Sequence, residues 1–176
     1  MRTYTRTYIP GGCYFFTVNL ERRRNTDLLV RHASALREAV TQVRRAHPFA
    51  VHAMVVLPDH LHALWRLPTG DADFSTRWRL IKAAFSRRLP EHERITPSRA
   101  RSGERGVWQR RFWEHVVRDE GDWQRHVDYI HHNPVKHGHA ERAVDWPYSS
   151  IHRYIQRGWC EVGWSASGEV VDLELE

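Results

Sequence analysis

Cysteine is scarce in this chain. Only Cys13 and Cys160 occur among 176 residues, in no CxxC arrangement. That excludes a disulfide framework or a zinc ribbon and fits a reducing compartment. No run approaches the roughly 18 to 20 uninterrupted apolar residues of a membrane span, and the opening MRTYTRTYIPGG lacks the apolar core of a signal peptide. A cytoplasmic, nucleoid-associated protein with no membrane partner is expected. Lysine is equally rare: Lys82 and Lys136 are two among 27 cations, the rest being arginine. After Cys160 there is no cation, only Glu161, Glu169, Asp172, Glu174 and Glu176.

What is present is a core and an excess of positive charge. Hydrophobic residues make up 41% of the chain and include 8 Trp, 6 Tyr and 6 Phe, which is ample for one folded domain. The formal net charge is +6, yet residues 1–160 set 27 cations against 16 acids, a net of +11. Arginine forks match phosphate geometry and stack on bases, so a polyanionic partner is the first expectation. A bias toward Arg codons accounts for the Arg:Lys ratio and leaves the excess unexplained. The expected organisation is one domain over 1–160, with a catalytic core at about 14–138 and a helical extension at 139–160. An acidic, disordered tail is expected at 161–176.

Alternating and helical apolar periods give the elements. Residues 14–19 read as a strand, 31–46 as a helix stopped by His47-Pro48, and 49–56 and 60–67 as a hairpin. A second helix is predicted at 75–89, a mobile basic loop at 90–106, a strand at 111–117 and a third helix at 122–132 stopped by Asn133-Pro134. A further helix follows from Asp145 to about Arg157. The order βαββαβα is the ferredoxin-like α+β pattern: an antiparallel sheet with helices packed on one face and the other face free for a ligand.

On a strand, His60 and His62 project to one face and Leu61 to the other, so two imidazoles converge as in a divalent metal site. Exposed strand histidines are the plain alternative in a chain with 13 His. Four residues apart on a helix, Tyr129 and Asn133 share a face, predicted to be an outward edge. A helix-flank tyrosine and a helix-stop asparagine account for them equally. Arg22, Arg23, Arg24, Arg77, Arg79, Lys82, Arg110, Arg111 and Lys136 are candidates for contacts to the backbone of a polyanion, each also readable as a solvated charge. Trp65, Trp108 and Trp113 could stack on bases or fill the core.

Four blocks in order carry a resemblance: Met54-Val55-Val56-Leu57-Pro58-Asp59-His60-Leu61-His62; the run from Val107-Trp108-Gln109-Arg110-Arg111-Phe112-Trp113-Glu114-His115 to Asp119; Tyr129-Ile130-x-x-Asn133-Pro134-Val135-Lys136-x-Gly138; and Trp146-Pro147-Tyr148-Ser149-Ser150. Together they resemble the REP-associated tyrosine transposases, single-tyrosine HUH nucleases related to insertion-sequence transposases. The resemblance implies a metal held by His60 and His62, a nucleophile at Tyr129 and a third ligand at Asn133, where insertion-sequence relatives commonly carry Gln. It implies a divalent cofactor, Mg²⁺ or Mn²⁺. It also implies cleavage of single-stranded DNA at REP-type hairpins through a 5'-phosphotyrosine, by a monomer. The alternatives left open are a catalytically weak hairpin-binding protein and an unrelated His-x-His metalloprotein.

Overall fold

The computed structural model describes residues 6–90 and 95–171. The centre of the molecule is β1 (Cys13–Asn19), whose aromatic and β-branched residues are buried on both sides. It pairs antiparallel with β3 (His60–Arg66) and with β4 (Trp113–Val116), while β2 (Ala50–Val56) pairs with β3, giving the order β2-β3-β1-β4. That is the expected α+β sheet.

Between β1 and β2 run α1 (Leu28–Arg31) and α2 (Ala33–Ala46), and between β3 and β4 run α3 (Phe74–Arg87) and the short α4 (Pro97–Arg101). Helix α2 ends one residue before His47-Pro48, as proline requires. Asp73 caps α3 by accepting from the Thr76 amide at 2.9 Å. The stripe Trp78, Ile81, Phe85 and Leu36, Val40, Val43 from α2 close over Tyr14, Phe16, Val18, Leu61, Ala63 and Trp65.

The distribution of helices differs from the expectation. The opposite sheet face is not free: α5 (Glu120–Lys136) lies across it, with Val127 and Ile130 packed on Phe15, Ala53, Val55 and Leu64. The predicted stop at Asn133-Pro134 is also overrun. Pro134 lacks an amide donor but the helix continues to Lys136, with Gly138 at φ +69° accepting the left-handed turn that ends it. Asn133 therefore sits inside a regular helix.

The C-terminal extension seals the outer edge of β2, which would otherwise present unpaired backbone groups. The Val56 amide donates to Tyr148 O at 2.9 Å, the Ser150 amide to Met54 O at 2.8 Å, and Trp146 Nε1 to Val56 O at 2.9 Å. Arg153 from α6 (Ile151–Gln156) donates to the carbonyls of Val51 and His52. The helix expected from Asp145 is thus a short 3-10 turn (Ala143–Asp145), the edge-capping strand-like piece, and then α6. The segment expected to be a mobile loop is pinned where it is described: Arg99 pairs with Glu21 at 2.6 Å, and Arg105 caps α3 by donating to the carbonyls of Ser86, Leu89 and Pro90. Residues 91–94 lie outside the described residues. The acidic end is ordered as far as α7 (Gly168–Val171), whose Val170 is buried against α5; residues 172–176 lie outside.

Candidate functional site

Strand alternation places His60 and His62 on the sheet face that α5 covers, with Leu61 and Ala63 beneath. Their rings stand 5.0 Å apart and nearly perpendicular. Cross-strand pairing sets Thr17 opposite His62 and Asn19 opposite His60. Thr17 Oγ1 lies 3.0 Å from His62 Nδ1. The His60 Nδ1 contact is shorter, 2.6 Å to Asp59 Oδ1, and the same carboxylate accepts from Arg23 Nε at 2.7 Å. Burial alone would raise the Asp59 carboxyl, but these two donors and their charge hold it well below the usual carboxylate range.

Helix α5 supplies the rest. Tyr129 meets His62 edge to face at 5.3 Å between ring centroids and Phe15 at 5.9 Å. One turn on, Asn133 is wholly buried, and neither its amide oxygen nor its amide nitrogen has a hydrogen-bond partner among the described residues. Lys136 places its ammonium 5.0 Å from the Tyr129 ring centroid, and the His137 ring stands 5.1 Å from that of His60. Tyr129 and Asn133 therefore face the sheet rather than the predicted outward edge. The reason is the second layer: with α5 laid on the histidine face, the stripe of residues 126, 129 and 133 becomes its inner side. Tyr129 and His60 are each only 1% exposed.

The donor chemistry suits a divalent ion: the two imidazoles have Nδ1 already engaged, and the buried Asn133 amide has no hydrogen-bond partner among the described residues. A second cluster, His115, Asp122 and His126, brings its ligand atoms within 4.8 Å of one another. Here the His115 and His126 rings are stacked at 4.7 Å with planes 19° apart. Imidazole lone pairs lie in the ring plane, so parallel stacked rings do not converge on one ion. Asp122 instead accepts from His115 Nε2 at 2.8 Å and from the Arg118 amide at 3.0 Å, clamping β4 to the start of α5. Burial would raise its carboxyl, yet these bonds leave it below its ordinary range; burial pushes the His126 imidazole down.

The basic candidates divide. Arg22, Arg24, Arg79, Arg110 and Arg111 are exposed, Arg110 paired with Glu104 at 2.9 Å. Arg77 is a correction: it is buried, bonded to Asp71 at 2.6 Å and to the carbonyls of His47, Pro48 and Asp73, and it is not available to a phosphate. Lys82 is another, because its ammonium donates to Gln109 O at 2.9 Å and burial brings it down to about 8. Arg23 turns inward to Asp59, and Lys136 to Tyr129. Of the tryptophans, Trp65 and Trp108 are buried, whereas Trp113 is 37% exposed beside Phe15. The sequence reading missed Asp59, Thr17 and His137. Asp59 was adjacent to the histidine pair, but Thr17 and His137 become neighbours only through strand register and helix placement.

A four-stranded sheet carrying a histidine pair under a tyrosine helix is the architecture of a transposase nuclease domain, and residues 12–133 match the family described as Transposase IS200 like. A REP-associated tyrosine transposase of Escherichia coli K12 is 45% identical over 173 residues, covering 98% of this chain and 95% of that one. A Haemophilus influenzae protein given the same family designation is 43% identical over 157 residues, 89% of each chain. A solved REP-associated tyrosine transposase bound to a REP hairpin superposes with a TM-score of 0.83 at 45% identity, covering 99% of this chain and 96% of that one. The chain belongs to the IS200-like transposases, in their REP-associated tyrosine transposase branch, and is a transposase-type enzyme. Among its described residues no helix is long and apolar enough to cross a membrane.

Proposed function

We propose that this protein nicks and rejoins single-stranded DNA beside REP-type hairpins, the ligand with which its solved relative is described. The observation that carries the reading is convergence: two histidines and a phenol, from two elements far apart in sequence, meet ring to ring, and a wholly buried carboxamide lies one helical turn beyond the phenol. His60, His62 and Asn133 Oδ1 would hold a divalent metal. When bound, that ion polarises the scissile phosphodiester and offsets charge on the departing oxygen. Two imidazoles favour Mn²⁺ over the harder Mg²⁺, though Mg²⁺ is the more abundant choice for oxygen-rich ligands.

The chain's own residues do the remainder. Tyr129 Oη attacks phosphorus and loses its proton; the new O–P bond forms as the P–O3' bond breaks, and the 3' oxygen leaves as a hydroxyl after taking up a proton. One ester replaces another, so the 5'-phosphotyrosine keeps the bond energy for rejoining. Lys136, close to the Tyr129 ring, supplies positive charge where negative charge gathers. Exposed Arg22, Arg24, Arg79, Arg110 and Arg111 are left to bind the DNA backbone, and Trp113 to meet a base.

The test is incubation of labelled single-stranded hairpin with the protein and Mn²⁺. A denaturant-resistant adduct that disappears in Tyr129→Phe is expected. The burial of Tyr129 favours one alternative, a hairpin-binding protein with little turnover; binding without any adduct would establish it and remove the nicking reading.

A further inference from the structure

Two described groups lie against His60 Nδ1 and ask opposite things of it. Asp59 Oδ1 lies at 2.6 Å and Arg23 Nη2 at 3.4 Å. A carboxylate accepts and a guanidinium donates, so the two contacts demand opposite tautomers of the same ring. The short contact decides. An Nδ1 lone pair pressed to 2.6 Å against an anionic oxygen would be repelled, whereas an Nδ1–H there makes a short charge-assisted bond. His60 thereby carries a proton on Nδ1, which in the neutral ring leaves the lone pair on Nε2. The neighbouring ligand is held differently. Thr17 Oγ1, 3.0 Å from His62 Nδ1, can donate or accept, so it orients that ring without choosing its tautomer.

Asp59 in turn depends on Arg23. The Arg23 Nε–H donates to Asp59 Oδ2 at 2.7 Å, leaving Oδ1 for His60. Arg23 is the middle of three consecutive exposed arginines in the loop after β1, and it is the one whose side chain, 38% exposed, pairs with the carboxylate.

We infer that Asp59 is a positioning residue that sets the tautomer of His60 for metal binding, and that Arg23 is the brace that holds Asp59 in place. The inference rests on the metal site proposed above. It gives the basic loop a second role, in which the outer arginines face the polyanion and the inner one acts on the metal through a single ion pair. Such outer partners of ligating histidines alter metal affinity by about 10- to 100-fold when removed.

The experiment measures Mn²⁺ binding to the full-length protein by calorimetry, without DNA, for the wild type and for His60→Ala, Asp59→Asn and Arg23→Gln. Imidazole ¹⁵N shifts of the metal-free proteins report the His60 tautomer directly. His60→Ala is expected to lose binding. Asp59→Asn is expected to bind about 10- to 100-fold more weakly and to show a mixture of His60 tautomers, with Arg23→Gln between it and the wild type. Arg23→Gln also guards against a folding defect, because it alters a partly exposed side chain. If Asp59→Asn binds Mn²⁺ and holds the Nδ1–H tautomer as the wild type does while His60→Ala fails to bind, the positioning role falls and the metal site stands. If His60→Ala binds like the wild type, the site itself falls.

Discussion

The two faces of one sheet have been put to opposite uses. On β3, Leu61, Ala63 and Trp65 look toward α2 and α3, where Trp65 stacks on Trp78 at 4.2 Å and Phe16 meets both. Their immediate neighbours His60 and His62 look toward α5, with Thr17 and Asn19 opposite them across the strands and the Tyr129 ring against His62. The first face gains from every buried ring. The second places polar groups in a low-dielectric space, where they cost stability unless a partner or ligand satisfies them. A strand's period of two lets adjacent residues serve both ends, so the apolar face can carry the reactive one. Catalytic preparation here is a local debt held by a global core.

The division can be broken first on its stable side. Trp78 is buried, and its indole N–H has no hydrogen-bond partner among the described residues, so its loss is almost wholly a packing loss. Trp78→Ala is expected to cost about 3–5 kcal/mol in urea unfolding, while the fraction that remains folded at low temperature still forms the Tyr129 adduct. A folded Trp78→Ala protein that forms no adduct would show that the two faces are not separable.

The opposite experiment removes a polar group from the reactive side. Asn133 is wholly buried with both amide atoms lacking partners among the described residues, so its desolvation is uncompensated without a ligand. Asn133→Leu, of similar volume, is expected to stabilise the metal-free protein by about 1–3 kcal/mol and to weaken Mn²⁺ binding. Urea unfolding without metal checks the first part and calorimetry the second. A destabilised Asn133→Leu would mean that the amide is satisfied in solution and that the site is not held open for an ion.

The same contrast explains what could be read from the sequence. Strand and helix order followed from local periods, and the shared face of His60 and His62 followed from alternation alone. The position of α5 did not. Tyr129 and Asn133 are polar enough to read as a solvent edge, and only a second layer on the sheet turns that edge inward. Pro134 misled in the same direction, since a proline that local rules treat as a stop is tolerated when packing holds the helix. The errors at Arg77 and Lys82 have one cause: a long cationic side chain looks alike in sequence whether it meets water or a set of buried carbonyls.

Histidines sharpen the contrast once more, because α5 carries another on its far side. His131 is buried toward α6, its Nε2 2.9 Å from Ser150 Oγ and its ring 4.7 Å from that of Tyr154. Burial first, then the charges of Arg153 and His152, push its imidazole down to about 3. Its folded value thus lies below the ordinary one of 6.5, so as pH falls the unfolded chain takes up the proton first. The stability it contributes is complete above about pH 6.5 and drains away as pH falls toward about 3. His131→Gln keeps a side chain able to reach Ser150 and removes the titration. Between pH 7 and pH 6 the wild type is expected to lose about 0.7 kcal/mol more than His131→Gln in urea unfolding. His52, His126, His132 and His139 are also held down by burial, but they titrate in both proteins and cancel in the difference. Equal losses in the two proteins would place His131 in contact with water and α5's outer side outside the core.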